Sequence, residues 1–276
     1  TYALKNPNFF TVELPVTLPP TIPNVQKVFF ETIDPKPQRF EQDADGNQFA
    51  YFKIPGRKVL NPQIKGQIIV FSAINTLSSS QSFPALPYTN ADEFWPVDNP
   101  EIQRIASQLE TPSEIYEYVV EKISYKKDFP RDALVRVGPL KALSDGEGVC
   151  TEYTDLFVTL MRAKGISAQS LAGFSYTEES SLLFSDEEDK VVLHSWVRWF
   201  DPNKGWQYAD PTWGSTTGLD YFNKFDTNHV VFAIHGQDSV LPYSAGSYVE
   251  GSEDLRDKVD VSFSTTGLEK NSQTTF

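Results

Sequence analysis

An α+β domain behind a small antiparallel β-sandwich is the architecture this sequence predicts, and three observations carry it. From about Phe9 to Ile74, short runs of β-branched and aromatic residues are interrupted at brief intervals by proline and glycine. Between about Asp98 and Gly165 the apolar residues recur at helical spacing. Beyond Gly165 the pattern switches back to strands, and helices followed by antiparallel strands make an α+β unit.

The elements follow in order. Val12-Glu13-Leu14-Pro15-Val16, Val25 to Thr32, Gln48 to Ile54 and Gln67 to Ile74 read as strands, with Asp45-Gly46-Asn47 as a hairpin turn. The run Asp43 to Asn47 has the look of a calcium loop, but Gln48 stands where the turn glycine is required and Ile54 where the closing glutamate belongs. The stretch 78–97, rich in Ser, Pro and Asn, reads as a linker. Ile102, Ile105, Ala106 and Leu109 define one helix; Ile115, Tyr116, Val119, Val120 and Ile123 define a second, capped by Thr111 with Pro112 in its first turn. A third helix carries Val149, Tyr153, Leu156, Phe157, Leu160 and Met161 on one face and stops at Lys164-Gly165. Strands are expected at Ala168 to Phe174, Val191 to Phe200, Trp206 to Asp210 and Val230 to His235. Val259 to Phe263 reads either as one last strand or as the edge of a following segment. The expected division is a β domain at 1–77, the linker at 78–97, an α+β domain at 98–250 and a polar tail at 251–276.

Composition narrows the function. Hydrophobics at 39% and aromatics at 13% suit a folded chain, and 276 residues hold one large or two ordinary domains. A net charge of −13 with no basic block argues against nucleic acid and anionic lipid as partners. No apolar run approaches the roughly 20 residues of a membrane-spanning helix. The sequence begins Thr1-Tyr2-Ala3, which suggests a processed or excised piece of something longer. Three scattered histidines and one cysteine lack zinc-ligand spacing, and there is no phosphate loop or dinucleotide fingerprint, so neither metal nor cofactor is expected.

The chemistry concentrates in three segments. Cys150, the lone cysteine, opens the third helix, where unpaired N–H groups and the positive end of the dipole favour a thiolate. Gly146 and Gly148 before it would let the backbone approach a substrate. The turn Asp201 to Gly205 folds two strands together and places His194 roughly opposite Asp210. A thiol, an imidazole and a carboxylate in that relation form an acyl-transfer apparatus, the carboxylate orienting the base. His229 and His235 have no comparable context, and Trp196, Trp206 and Trp213 read as packing residues that wall the site. The acidic run Glu178 to Asp189 reads as a solvated loop near the cleft or, alternatively, as an electrostatic selector for basic acceptors such as lysine amines.

These segments resemble the motifs of the transglutaminase-like superfamily. The cysteine motif is similar to Gly148 through Phe157, continued by Leu160 to Ala168, with Ser167 where the family usually has proline. His194-Ser195-Trp196-Val197 resembles the histidine motif, and Gly205-Trp206 with Asp210-Pro211-Thr212-Trp213 resembles the aspartate motif. The similarity runs from about Asp98 to Tyr248 and includes Asn228-His229. It implies a papain-like core of helices packed on an antiparallel sheet, with Cys150, His194 and Asp210 as catalytic residues. It also implies a thioester formed from an amide, such as glutamine in a protein or peptide substrate, and passed to an amine acceptor or to water. A cysteine peptidase or amidase would use the same three residues, and an idle structural or binding module of a surface protein is the alternative from another class. A secreted or cell-surface prokaryotic setting is expected.

Overall fold

The structure is a computed structural model that describes residues 2–72, 87–126, 136–177, 191–243 and 260–264. Seven strands build the first part: β1 (Leu4–Lys5), β2 (Val12–Leu18), β3 (Gln26–Asp34), β4 (Arg39–Gln42), β5 (Gln48–Ile54), β6 (Val59–Leu60) and β7 (Gln63–Val70). They pair as β2-β5-β4, β3-β7 and β1-β6, all antiparallel. Alternation decides what lies between the layers: Val16 and Leu18 of β2 and Ala50, Phe52 and Ile54 of β5 meet Val28 and Phe30 of β3. Pro15 is tolerated because β2 is an edge strand. The β4–β5 hairpin turns through Asp43, whose carboxylate accepts the N–H groups of Asp45 (3.0 Å) and Asn47 (2.8 Å).

The second part begins with α1 (Pro100–Ala106) and α2 (Pro112–Lys122), started by Asn99 and Thr111 side chains that accept first-turn N–H groups. There follow β8 (Ser124–Tyr125), α3 (Gly138–Asp145), β9 (Glu147–Gly148) and α4 (Cys150–Ala163). The strands β10 (Ala168–Tyr176), β11 (Val191–Asp201), β12 (Gly205–Ala209) and β13 (His229–His235) form one antiparallel sheet in the order β12-β11-β10-β13, with α5 (Pro211–Thr217) after β12. Tyr153, Leu156, Phe157, Leu160 and Met161 of α4 share a core with Ile102, Ile105, Ile115, Val119, Ala168, Val197 and Ala209. Burying that many large side chains at about 2 kcal/mol each is the main force holding helices to sheet.

Helix α4 is buried on nearly every side, Glu152 to Arg162 without exception, so its polar residues are partnered rather than solvated. Asp155 takes Arg136 Nε at 2.8 Å and Trp95 Nε1 at 3.2 Å. Arg162 spends its guanidinium on the carbonyls of Asn90 (2.8 Å), Ala168 (2.9 Å) and Gly236 (2.7 Å) while stacking on Trp95. Trp95 lies in the stretch expected to link the two parts, and it is fully buried.

The two parts meet along β13, the last strand of its sheet. Leu171, Trp196, Tyr208, Val231 and Ile234 share an apolar cluster with Ile22 and Val25 of the first part. Two fully buried amides complete the joint. Gln26 donates to Val231 O (2.8 Å) and accepts from Val231 N (2.8 Å); Asn47 does the same for Ile234 at 2.8 and 2.7 Å. Asp45 accepts from Gly236 N (2.9 Å) and Gln237 N (3.0 Å). Each amide replaces the strand that β13 lacks on its open side. Residues 260–264 have no regular secondary structure, although Val261 and Phe263 pack near Phe174 and Phe232.

Candidate active site

Three segments that are distant in sequence converge at the first turn of α4. Cys150 is the first residue of that helix, where the N–H groups of the opening turn have no intrahelical acceptor. Glu152 reaches back to Val149 N (3.1 Å) and across to Val137 N (3.0 Å), so a buried carboxylate shares the electropositive end with the thiol. The glycines before Cys150 have structural tasks. Gly146 ends α3 in the left-handed region at φ 70°, and a Cβ on Gly148 would stand 2.7 Å from that of Glu152. Close approach to a substrate, expected of them from sequence, is not what fixes these two positions.

His194 lies on β11 opposite Gly173 of β10. Its Nε2 is 2.6 Å from Asp210 Oδ2, with side-chain exposures of 3% and 0%. Asp210 is held because it is also the N-cap of α5: its Oδ1 accepts Trp213 N at 2.9 Å, and Tyr116 Oη donates to its carbonyl at 3.2 Å. Gly214 makes room for that phenol, since a Cβ there would meet Tyr116 Oη at 1.9 Å. Trp213 and Trp196 lie against the His194 ring, with centroids 5.1 and 6.0 Å away. Trp206 lies with Phe200 and Tyr88, under the Arg198 guanidinium.

Burial alone would pull the His194 imidazolium down, but the charge and hydrogen bond of Asp210 outweigh it. With a further hydrogen bond and charge from Cys150, His194 is raised to about 9. Burial likewise pushes Asp210 up, and His194 and His229 overcome this to hold it far below the usual carboxylate range. The structure therefore pairs the ring with the carboxylate, and its surroundings, Cys150 among them, favour the charged form of the ring.

His229 was not expected at this site. Its Nε2 is 3.1 Å from Asp210 Oδ2 and its Nδ1 2.7 Å from Asp226 Oδ1. Asp226, three residues earlier, was the sequence signal that could have marked it. His235 is buried at the far end of β13, its Nε2 2.7 Å from Pro242 O, and burial brings it down to about 4. Tyr153 is a core residue whose phenol donates to Ile123 O and has Ser215 Oγ at 3.1 Å. The acidic run Glu178 to Asp189 lies outside the described residues. Among the described residues, His194, Asp210 and His229 bring ligand-type atoms within 4.8 Å of one another. Their facing nitrogens and oxygens are already matched as hydrogen bonds, so the cluster is complete without an ion.

A cavity of about 150 Å³ is lined by Arg136, Thr151, Ser170, Ala172, Ser195 and His235, with Val240 and Tyr243, and includes the chain neighbours of Cys150 and His194 but neither residue itself.

Helices packed on an antiparallel sheet, with a cysteine opening the buried helix and a histidine on one strand paired to an aspartate just past the next, make this an α+β fold. Within that class, the model of the Transglutaminase-like superfamily matches residues 99–211, and this stretch is a domain of that superfamily. Among solved structures, a provisionally named cysteine protease from Cytophaga hutchinsonii superposes with a TM-score of 0.58 at 14% identity, covering 98% of this chain and 93% of its own. The periplasmic domain of TgpA from Pseudomonas aeruginosa aligns with a TM-score of 0.41 at 16% identity, over 79% of this chain and 84% of that one. A search of curated protein sequences found no match.

Proposed function

We propose that the chain is a transglutaminase-like cysteine enzyme in which Cys150 is the nucleophile, His194 the acid and base, and Asp210 the residue that orients His194. The observation that carries this reading is the buried His194–Asp210 pair, Nε2 to Oδ2 at 2.6 Å, with the Cys150 thiol near enough to act on the His194 ring. The Cys150 thiolate attacks an amide carbonyl carbon, such as that of a glutamine side chain, and forms the C–S bond. Protonated His194 gives its proton to the departing nitrogen as the C–N bond breaks. Neutral His194 then takes a proton from an incoming amine or water, which attacks the thioester and returns the thiolate. In this reading the N–H groups of Cys150 and Thr151, at the open end of α4, receive the oxyanion. Residues 98–250 form the catalytic domain in this reading, residues 1–77 a β domain that braces it, and residues 251–276 a tail.

The proposal extends to a protein or peptide substrate in a secreted or cell-surface setting, supported by the acidic composition. Among the described residues, no helix is long and apolar enough to cross a membrane. The deciding experiment mixes the chain with a glutamine-rich protein and a labelled primary amine. Incorporation of label, abolished in Cys150→Ala, identifies transamidation, and ammonia release without incorporation identifies deamidation. New termini identify a peptidase. If Cys150 alkylates no faster than a free thiol, and equally fast in His194→Ala, the chain is an idle module and the proposal fails.

A further inference from the structure

The mechanism above uses His194 and Asp210 and leaves His229 without a task. Yet His229 is 1% exposed at the side chain, and both of its ring nitrogens face carboxylate oxygens: Nδ1 toward Asp226 at 2.7 Å and Nε2 toward Asp210 at 3.1 Å. A neutral imidazole has a single N–H. In either tautomer a ring lone pair would point at an oxygen lone pair, in a place where water cannot separate them. The charged ring supplies both donors. Asp210 is the less able of the two acids to carry the missing proton, since it already accepts from His194 and from Trp213 N.

We propose that His229 is a positioning residue for the reaction, a buried imidazolium held between Asp226 and Asp210 that fixes Asp210 beside His194 and offsets its charge. This rests on the assignment of Cys150, His194 and Asp210 given above. The titratable groups facing the ring are Asp210 at the start of α5, Asp226 before β13, His194 on β11 with its ring 5.6 Å away, and Tyr221 at 6.4 Å. The other rings against it, Trp196, Trp213 and Phe225, carry no charge. Burial disfavours the cation, but the hydrogen bonds that the ring donates to Asp210 and Asp226, and their charges, outweigh that and raise His229 to about 9.

The positive charge has a chemical consequence. A cation this close to His194, one residue further from the sulfur, favours loss of the thiol proton and restrains the pull of Asp210 on the His194 proton. With a neutral group in its place, the thiolate forms only at higher pH. A purely structural histidine would change how much protein folds, or the maximal rate, but not that midpoint.

The test measures the rate of Cys150 alkylation by iodoacetamide against pH in the full chain, by mass spectrometry, for the wild type, His229→Gln, Asp226→Asn and His194→Ala. His229→Gln should raise the midpoint by about one pH unit, and Asp226→Asn should move it the same way by less. A His229→Gln profile that superposes on wild type, while His194→Ala loses the enhanced rate, overturns the role of His229 and leaves the nucleophile assignment standing. An unchanged rate in His194→Ala overturns both. Nitrogen-15 spectra of the wild type supply a second arm that needs no variant to fold. Both His229 ring nitrogens should appear protonated from about pH 6 to about pH 8, and a neutral-ring signature overturns the inference.

Discussion

At its first residue, β13 supplies His229 to a buried run of alternating acids and imidazoles that ends at Cys150. At Val231 and Ile234 the same strand is gripped by Gln26 and Asn47, equally buried but neutral, each returning one donor and one acceptor to one residue's backbone. The amides have no proton to lose and no unmatched atom at these contacts, so they hold shape and nothing more. The acid–imidazole run has protons that can move and a nucleophile at its end. Burial of polar groups is common to both, and what separates a working site from a joint is whether the buried atoms can change charge.

Breaking the charged cluster should cost the most. Asp210→Asn keeps the cap on α5 but leaves His194 without its anion, and amine incorporation should fall about 1000-fold in kcat/KM. A loss below about tenfold would mean that Asp210 serves α5 and not His194. Next comes Asn47→Ala, which strands the N–H and C=O of Ile234 and should lower unfolding free energy by about 3 kcal/mol in urea titrations. Gln26→Ala should act similarly at Val231, at about 2 kcal/mol. In both amide variants the rate of Cys150 labelling under native conditions should stay within about twofold of wild type; a larger fall would make the joint part of the site.

The smallest effect is in pH dependence. His194 and His229 are raised to about 9, against 6.5 for an ordinary histidine, by carboxylates that overcome burial. Their contribution to stability is complete below 6.5 and disappears as pH climbs through 9. His235, brought down to about 4 by burial, behaves oppositely: stability is lost as pH falls from 6.5 toward 4. Urea midpoints should therefore decline on both sides of neutrality. His229→Gln should flatten only the alkaline side, by about 1 kcal/mol, and an equal decline in both proteins would remove His229 from the charged set.

The helices and strands that bury one clear stripe were legible in the sequence. The capped start at Thr111-Pro112, the stop at Lys164-Gly165 and the strands β10 to β13 lie within a few residues of their expected bounds. Strand β4 was not legible because all four of its residues are exposed and show no alternation. Helix α5 was missed for a different reason: Asp210-Pro211 reads as a turn, and the same pair is also an N-cap followed by a first-turn proline. Of the site, Cys150, His194 and Asp210 each sat in a recognisable segment. His229 did not, because its meaning comes from Asp210, which the fold carries to it across the sheet. Asp155 and Arg162 were likewise opaque: on a helix wheel they are a polar face, and only the packed structure shows that this face has no solvent to meet.

The amide grip on β13 bears on how the chain behaves when cut. Expressed without residues 1–72, the sheet would expose a row of unsatisfied amide and carbonyl groups beside apolar Val231 and Ile234. Such a margin invites a neighbouring molecule's backbone, and fibrous self-association would be the outcome. The first seventy residues thus keep that margin covered, and a truncated fragment is expected to self-associate.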